Sequence, residues 1–319
     1  MESTLTQGAP VSKARAYVDL ARPFTLLPPL LGFATAGLTS FGAHPTLRPS
    51  AAVLIPLVLG SLMAATLNAA SNAINQIYDL EIDRVNKPKR PLPSGRLTIA
   101  EAWVFTVITY AIALVFAWLA KPPDVPRREC FVIVVIAAIL TYVYSGPPLR
   151  TKRHWLTANV TIAIPRGLLL KVAGWSSIGT IMKLEPWYIG AIFGTFLLGA
   201  ATTKDFADMK GDAAQGCVTL PIRFGVRKAA FMIAPFFVIP FLMIPVGAEL
   251  HVLSGNRVLL HVMGLFLAAY GIYVSYLIVR NPDDLAATEN HPSWTHMYRM
   301  MMVGQVGFAL AYIVERWVR

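Results

Sequence analysis

The sequence is poor in charge. Only 14% of its 319 residues are Asp, Glu, Lys or Arg, whereas 55% are hydrophobic, and the mean hydropathy is +0.56. A typical soluble domain carries about 25% charged residues. The deficit excludes an ordinary soluble globular protein and predicts an integral membrane protein.

Cysteine is also scarce, and several motifs are missing. Cys130 and Cys217 are the only cysteines and show no metal-binding spacing, which excludes a disulfide framework. The chain has no Walker motif and no Gly-rich nucleotide loop, so ATP is not expected as a ligand. The first segment contains Glu2 and Asp19 and no apolar stretch, and we therefore expect no cleaved signal peptide.

Long apolar segments recur along the whole chain. A helix needs about 20 apolar residues to cross a bilayer. The pattern predicts an all-α, polytopic membrane protein with nine transmembrane helices in one domain, residues 1–319. The predicted helices are Phe24–Phe41, Ala51–Ile77, Ala100–Ala120, Cys130–Tyr144, Leu156–Ile181, Trp187–Thr203, Ala229–Ala248, Val258–Val279 and Met297–Ile313. Proline within the fifth and seventh predicted helices is expected to kink them.

The net charge of +11 is distributed by loop. Seventeen Lys and Arg residues fall in loops on one side of the predicted membrane and eight on the other. The positive-inside rule therefore predicts a cytoplasmic N-terminus and a C-terminus on the opposite side. This distribution explains the positive charge without nucleic acid, which is not expected as a partner.

A column of polar residues ends the second predicted helix. In the segment NQIYDLEID, Asn75, Asp79 and Asp83 are spaced four apart and share one helix face. Asn68 and Asn72 extend the same face toward the membrane interior. Because lipid does not tolerate such a column, we expect it to line a polar cavity.

A second acidic stretch, KDFADMKGD, ends the sixth predicted helix with Asp205, Asp208 and Asp212. Two facing carboxylate clusters would repel each other unless cations lay between them. Oxygen ligands without His or Cys suit Mg²⁺, which is commonly completed by substrate phosphates and water. The two stretches together predict a Mg²⁺ site.

Basic residues adjoin both acidic stretches and occupy the loop TYVYSGPPLRTKRHW between them. They include Arg84, Lys87, Arg90, Arg150, Lys152, Lys204 and Lys210. Metal-binding acids beside cations are what a diphosphate leaving group requires, because its developing charge must be neutralised. In so apolar a chain, an isoprenoid is the expected carrier of that diphosphate.

Three motifs carry a family resemblance. NQIYDLEID and KDFADMKGD resemble the two Asp-rich motifs of the UbiA superfamily of intramembrane prenyltransferases, and YSGPPLRTK resembles the segment between them. The resemblance implies a nine-helix bundle around a central cavity, capped on the cytoplasmic side by the Asp-rich loops. It also implies a polyprenyl diphosphate donor, a hydrophobic acceptor, Mg²⁺ and a membrane-lipid environment.

The resemblance implies roles for individual residues. Metal ligands would be Asp79, Asp83, Asp205, Asp208 and Asp212, and the catalytic group would comprise four of these acids, Asp79, Asp83, Asp208 and Asp212, with Tyr144. Donor-binding residues would be Asn75, Arg84, Ser145, Lys152, Lys204, Arg22 and Asn68. Arg166 is an intramembrane cation that we expect to face the cavity, where it would contact an acidic acceptor; the other reading is that it reaches toward an interface.

The acceptor has several candidates. The motifs look most like the homogentisate and chlorophyll-type branches, which favours an aromatic quinone or tocopherol-type precursor. A tetrapyrrole and a glycerol-phosphate lipid are the alternatives, the latter because TLPIRFG follows the second motif. A secondary transporter is the alternative class, but transporters usually place charge near the midplane, whereas these acids lie at one membrane face.

Overall fold

A computed structural model describes residues 12–122, 126–288 and 291–318. Within these ranges the chain is built of helices and forms no named strand. The helices are α1 Lys13–Ala21, α2 Leu27–Ala43, α3 Ala51–Tyr78, α4 Leu80–Asn86, α5 Ile99–Leu119, α6 Glu129–Ser145, α7 Trp155–Ala163, α8 Leu170–Ser176, α9 Leu184–Ala200, α10 Met209–Ala214, α11 Leu220–Phe224, α12 Val226–Ile233, α13 Ile239–Glu249, α14 Arg257–Arg280, α15 Pro282–Ala287 and α16 Pro292–Val318.

Eight helical segments in the described ranges are long and apolar enough to cross a membrane. They are Pro23–Ala43, Ala51–Tyr78, Ile99–Leu119, Trp155–Ser176, Leu184–Phe206, Val226–Glu249, Arg257–Arg280 and Pro292–Val318. The apolar helix α6 is shorter, with 17 residues. Each of the nine predicted helices falls on one of these segments, so the predicted all-α, multi-pass membrane fold is confirmed.

Proline distorts two of the spanning segments, as expected from its missing N–H donor. Pro165 lies in a wide helical turn, Ile164–Leu169, which joins α7 to α8. Pro235 lies in the tight turn Ala234–Phe237 between α12 and α13. The wide turn packs closely on α9. A Cβ on Gly167 would lie only 2.6 Å from the Cα of Gly194, so only glycine fits at this contact.

The apolar core has two main parts. One joins α9, α12, α13, α14 and α16 around large buried rings such as Phe196 and Phe237. The other joins α2, α3, α5, α6 and α8 around Phe33 and Met63. Helix α2 contacts α3, α8 and α16, and so connects the two parts.

The short helices α4 and α10 follow spanning segments and contact each other at one end of the bundle. Helix α4 continues from α3 after a one-residue break at Asp79, and α10 follows the tight turn Ala201–Phe206 at the end of α9. Both acidic stretches therefore lie at the same end, which we call the acidic end.

Candidate active site

The break at Asp79 preserves the four-residue spacing of the first acidic stretch. The backbone N–H of Asp79 donates to the carbonyl of Asn75 at 2.9 Å, and that of Asp83 donates to the carbonyl of Asp79 at 2.7 Å. These are α-helical hydrogen bonds. Asn75, Asp79 and Asp83 consequently stay on one face, although α3 ends between them.

Asp79 and Asp83 of the first stretch are buried and are neutralised by cations from two different loops. Lys152 donates to the Asp79 carboxylate, and Arg150 lies 3.6 Å from it. Arg90 donates to Asp83 at 2.6 Å. Burial raises the pKa of Asp83, and the charge of Arg90 opposes that rise.

The second stretch is joined to the first by Lys87, whose ammonium lies 3.2 Å from the Asp208 carboxylate. Asp205 is buried at the end of the spanning segment Leu184–Phe206. Burial, followed by the negative charge of Asp208, raises the pKa of Asp212 to about 6. Asp212 is thus a carboxylate whose charge is incompletely compensated.

The donor set fits Mg²⁺ only when a ligand completes the coordination. In the described ranges, no group of three or more His, Cys, Asp or Glu side chains could hold a metal ion. Mg²⁺ commonly uses one or two carboxylates with waters and substrate phosphates. The acids of both stretches provide such carboxylates, and a cation would relieve the excess negative charge at Asp212.

A cleft of about 600 Å³ opens at the acidic end, and we call it the cleft. Its charged lining consists of Asp19, Arg22, Lys87, Lys89, Arg90, Arg96, Lys204 and Asp208. Three of the cations pair with carboxylates: Lys87 with Asp208, Arg90 with Asp83 and Arg96 with Asp19. Among the described residues, Arg22, Lys89 and Lys204 form no salt bridge, which leaves positive charge for an anionic ligand.

A second cavity of about 210 Å³, the inner cavity, leads from the cleft into the bundle. Arg22, Lys204 and Trp294 line both spaces. The inner cavity is lined further by Thr25, Asn68, Asn72, Asn75, Tyr144, Arg166, Tyr298 and Gln305, among others. The three asparagines of the predicted polar column therefore face the inner cavity, whereas Asp79 and Asp83 are not among the residues that line it.

The amides of this column also hold the chain segment that carries Arg22. Asn68 donates to the carbonyl of Thr25, Asn72 to that of Ala21 and Gln76 to that of Leu20, each at 2.9 Å. Gln76 was not predicted from the sequence, although it lies four residues after Asn72. Arg22 itself adopts a left-handed conformation with φ of 56°, at the junction between α1 and the first spanning segment.

Tyr144 lines the inner cavity, and the next residue, Ser145, is buried beside Asn75. Ser145 donates to the Asn75 side chain at 2.9 Å. The ammonium of Lys204 lies 5.8 Å from the centre of the Tyr144 ring. This distance is within the range of a cation–π interaction and shows that the ring can face a positive charge.

The structure does not bring Arg84 into the cleft. Its guanidinium is exposed and pairs with Glu81 at 2.6 Å. One residue rotates a helix by about 100°, and Arg84 therefore points away from the face that carries Asp83. From the sequence, Arg90 was only a basic neighbour of the motif. It belongs to a loop, which has no periodicity that could have placed its side chain beside Asp83.

The protein is thus a membrane helix bundle with a cleft lined by acids and bases and an inner cavity behind it. Such a site suits a ligand with a charged head and an apolar remainder. Residues 26–300 match the model of the UbiA prenyltransferase family, and the chain belongs to that family. The predictions of this family and of a prenyltransferase enzyme are therefore confirmed.

Individual relatives give a more detailed comparison. The chain is 32% identical over 262 residues to a digeranylgeranylglyceryl phosphate synthase of Methanothermobacter thermautotrophicus, covering 81% of this chain and 83% of that protein. It is 33% identical over 165 residues to a probable homogentisate phytyltransferase of Oryza sativa subsp. japonica, covering 50% and 42%. A UbiA homologue from Archaeoglobus fulgidus bound to GPP and Mg²⁺ has the same fold, with a TM-score of 0.73, 23% identity and coverage of 94% and 99%.

Proposed function

We propose that this protein transfers a prenyl group from a polyprenyl diphosphate to a glycerol-phosphate lipid, with Mg²⁺ as cofactor. Family membership supports the reaction type, and it gives no support to the secondary-transporter alternative. The observation that carries the choice of acceptor is the surplus of unpaired cations around the cleft and the inner cavity.

The donor diphosphate would bind where the two acidic stretches meet. Asp79 and Asp83 would hold Mg²⁺ on one side, and Asp208 and Asp212 on the other, with Asp205 nearby. Bound Mg²⁺ supplies positive charge to the diphosphate oxygens as the carbon–oxygen bond to the prenyl group breaks.

The ion pairs of the site suggest how charge balance is kept when the donor binds. Lys152 and Lys87 now neutralise Asp79 and Asp208. With these acids holding Mg²⁺, both ammonium groups would be available to diphosphate oxygens. Lys204, which forms no salt bridge among the described residues, would join them. Arg84 is left out of this set, because it points to solvent.

The chemical step would take place at the mouth of the inner cavity. The carbon–oxygen bond breaks, its electron pair leaves with the diphosphate, and an allylic cation forms near Tyr144, Ser145 and Asn75. The Tyr144 ring can stabilise positive charge through its face. An acceptor oxygen then bonds to the cationic carbon and loses its proton, while the apolar walls exclude competing water.

The acceptor is inferred from charge. Arg22 and Lys89 in the cleft and Arg166 in the inner cavity form no salt bridge among the described residues, in addition to Lys204. One diphosphate neutralised by Mg²⁺, Lys87, Lys152 and Lys204 does not require Arg22, Lys89 and Arg166 as well, so a second anionic group is expected. A phosphate on the acceptor meets this requirement, and several relatives are digeranylgeranylglyceryl phosphate synthases.

An aromatic acceptor is the second candidate, favoured by the similarity to the rice homogentisate phytyltransferase and by the motif resemblance. The tetrapyrrole acceptor stays a prediction. The single-domain organisation also stays a prediction. The same holds for the orientation in the membrane, with the N-terminus and the acidic end on the cytoplasmic side and the C-terminus on the opposite side. Residues 1–11 and Arg319 lie outside the described residues.

Purified protein incubated with Mg²⁺ and geranylgeranyl diphosphate would test the proposal. The acceptors would be a geranylgeranylglyceryl phosphate, homogentisate and a chlorophyllide, and products would be identified by mass spectrometry. We expect the glyceryl phosphate to be prenylated and an Asp208→Asn variant to be inactive. Prenylation of homogentisate alone would establish the second candidate, and no product with any acceptor would contradict the proposed reaction.

A further inference from the structure

The loop between α4 and α5, residues 87–97 and here called the basic loop, contacts both acidic stretches. Lys87 pairs with Asp208 of the second stretch at 3.2 Å. Arg90 pairs with Asp83 of the first stretch at 2.6 Å. The loop contains no helix and folds through turns, such as the one in which the N–H of Arg90 donates to the carbonyl of Lys87 at 3.0 Å. Turns of this kind do not by themselves fix where the loop stands relative to the surrounding helices.

One contact that holds the basic loop is apolar. Leu92 and Leu97 of the loop are buried in a small cluster with Ala16 and Leu20 of α1. The loop therefore rests against α1. Burial of apolar surface has no preferred direction, so it keeps the loop against this helix without fixing the orientation of the backbone that carries the two cations.

A second contact is polar and centres on Arg96. Its guanidinium donates to the Asp19 carboxylate of α1 at 2.7 Å, to the carbonyl of Lys89 at 2.8 Å and to the Ser94 hydroxyl at 3.1 Å. Lys89 stands between the two cations in the chain, and Arg96 thus contacts the backbone of the segment that carries them. Because hydrogen bonds are directional, this contact can orient the segment relative to α1.

Asp19 is a fixed point for this contact, because the last turn of α1 is itself held by amides of α3. Asn72 donates to the carbonyl of Ala21 at 2.9 Å. Gln76 donates to that of Leu20 at the same distance. These carbonyls belong to the two residues that follow Asp19. The same turn of α1 is therefore joined to α3 by amides and to the basic loop by a carboxylate.

We infer that Arg96 and Asp19 position the basic loop so that Lys87 and Arg90 stand ready for the donor diphosphate. The inference rests on the proposed function, because it assigns the cleft to a prenyl diphosphate. Arg96 lines the cleft, but its charge is neutralised by Asp19 and each of its three nitrogens donates to the protein. It is a positioning residue. A loop already held in its binding orientation loses less freedom on binding, which raises affinity.

Two substitutions separate positioning from direct binding of the donor by Arg96. Arg96→Lys keeps a cation at the cleft, but one ammonium cannot reproduce the three hydrogen bonds of the planar guanidinium. Asp19→Asn weakens the contact, because a neutral amide oxygen accepts a weaker hydrogen bond than a carboxylate, and it leaves the Arg96 charge uncompensated. Direct binding predicts tighter donor binding by Asp19→Asn, whereas positioning predicts weaker binding by both variants.

Two further cations of α1 provide matched controls. Arg15 lies 3.2 Å from the other carboxylate oxygen of Asp19, and Lys13 lies 2.5 Å from Glu101 of α5. Neither cation lines the cleft. Arg15→Met removes the second partner of Asp19 and leaves Arg96 in place. Lys13→Met removes an ion pair between α1 and the bundle that does not involve the basic loop.

Donor binding would be measured without acceptor, from the thermal stabilisation by geranylgeranyl diphosphate and by inorganic diphosphate in the presence of Mg²⁺. We expect Arg96→Lys and Asp19→Asn to bind both ligands at least about ten-fold more weakly, as for the loss of a hydrogen bond to a charged group. Both controls should bind as the unmodified protein does. In transfer assays the KM for the donor should rise by the same factor. The kcat should change less than about two-fold, because bound diphosphate then holds the loop itself.

Tighter or unchanged donor binding by Asp19→Asn would overturn the inference, as would unchanged binding by Arg96→Lys. An equal loss in Lys13→Met would overturn it too, because attachment of α1 in general would then be the cause. The melting temperature without ligand shows whether each variant is folded, and either loop variant suffices for the comparison. Failure of the proposed function is distinguishable, because these differences in donor binding would then persist while no acceptor is prenylated.

Discussion

The ion pair between Asp79 and Lys152 allows stability and catalysis to be separated. Asp79 is 9% exposed and Lys152 is 7% exposed, and the two side chains are hydrogen-bonded. Asp79→Asn would leave the Lys152 ammonium buried without its carboxylate. Removing one partner of a buried pair costs roughly 3–5 kcal/mol of the free energy of unfolding. Because the Asp79 side chain is still 12% exposed, we expect a loss of about 3 kcal/mol, at the lower end of that range.

The double variant Asp79→Asn/Lys152→Met removes both charges together. Replacing a whole buried pair by uncharged groups is often nearly neutral, so most of the lost stability should return. Prenyl transfer should not return, because the proposed Mg²⁺ ligand is still missing. The single variant should lower the melting temperature by about 5 °C, and the double variant by much less.

Both quantities can be measured on detergent-purified protein, by thermal unfolding and by prenyl transfer with Mg²⁺. Lys152→Met alone is the control for the loss of the ammonium. An Asp79→Asn variant as stable as the unmodified protein would refute the structural part of the reasoning. A double variant with restored transfer would show that Asp79 serves only to neutralise Lys152.

The remaining predictions concern charge and orientation. Arg90→Ala should reduce prenyl transfer at least about ten-fold, because it removes a charge-assisted hydrogen bond from the buried Asp83. Arg84→Ala should change transfer less than about two-fold, because Arg84 belongs to an exposed ion pair. Equal effects of the two variants in transfer assays would contradict this. Without Mg²⁺, the melting temperature should rise as the pH falls from about 6 toward 4, because Asp212, with a pKa of about 6 in the folded protein, takes up a proton there that the unfolded chain does not. Asp212→Asn should remove that part of the rise, and an identical pH profile for this variant would count against the assignment. Cysteines introduced at Ser94 and Lys183 should react with a membrane-impermeant reagent from the cytoplasmic and the opposite side respectively, and labelling of both from one side would refute the predicted orientation.

The membrane helices were predictable because the partition of side chains between lipid and water depends on local composition. Nine apolar segments were visible in the sequence, and the structure has a helix at each. The three- and four-residue spacing of Asn68, Asn72, Asn75 and Asp79 similarly placed a polar column on one face, because an isolated helix already determines which residues share a face.

Side-chain partners in the loops were not predictable in the same way. Arg84 follows Asp83 directly in the sequence, yet it points to solvent, while Arg90 binds Asp83 from seven residues away. Lys87 reaches Asp208 across 121 positions of the chain. Loop residues follow no fixed period, and adjacency in the sequence therefore says little about which charges meet.

The sequence by itself determined that the chain crosses a membrane with a bundle of helices, and that acids and bases gather at the ends of two of them. Hydropathy and helical periodicity are local properties and suffice for both conclusions. Only the tertiary structure decided which cation neutralises which acid, which cations stay unpaired, and that Arg96 joins the basic loop to α1. These features depend on contacts between helices far apart in the chain, whose relative positions are set by packing.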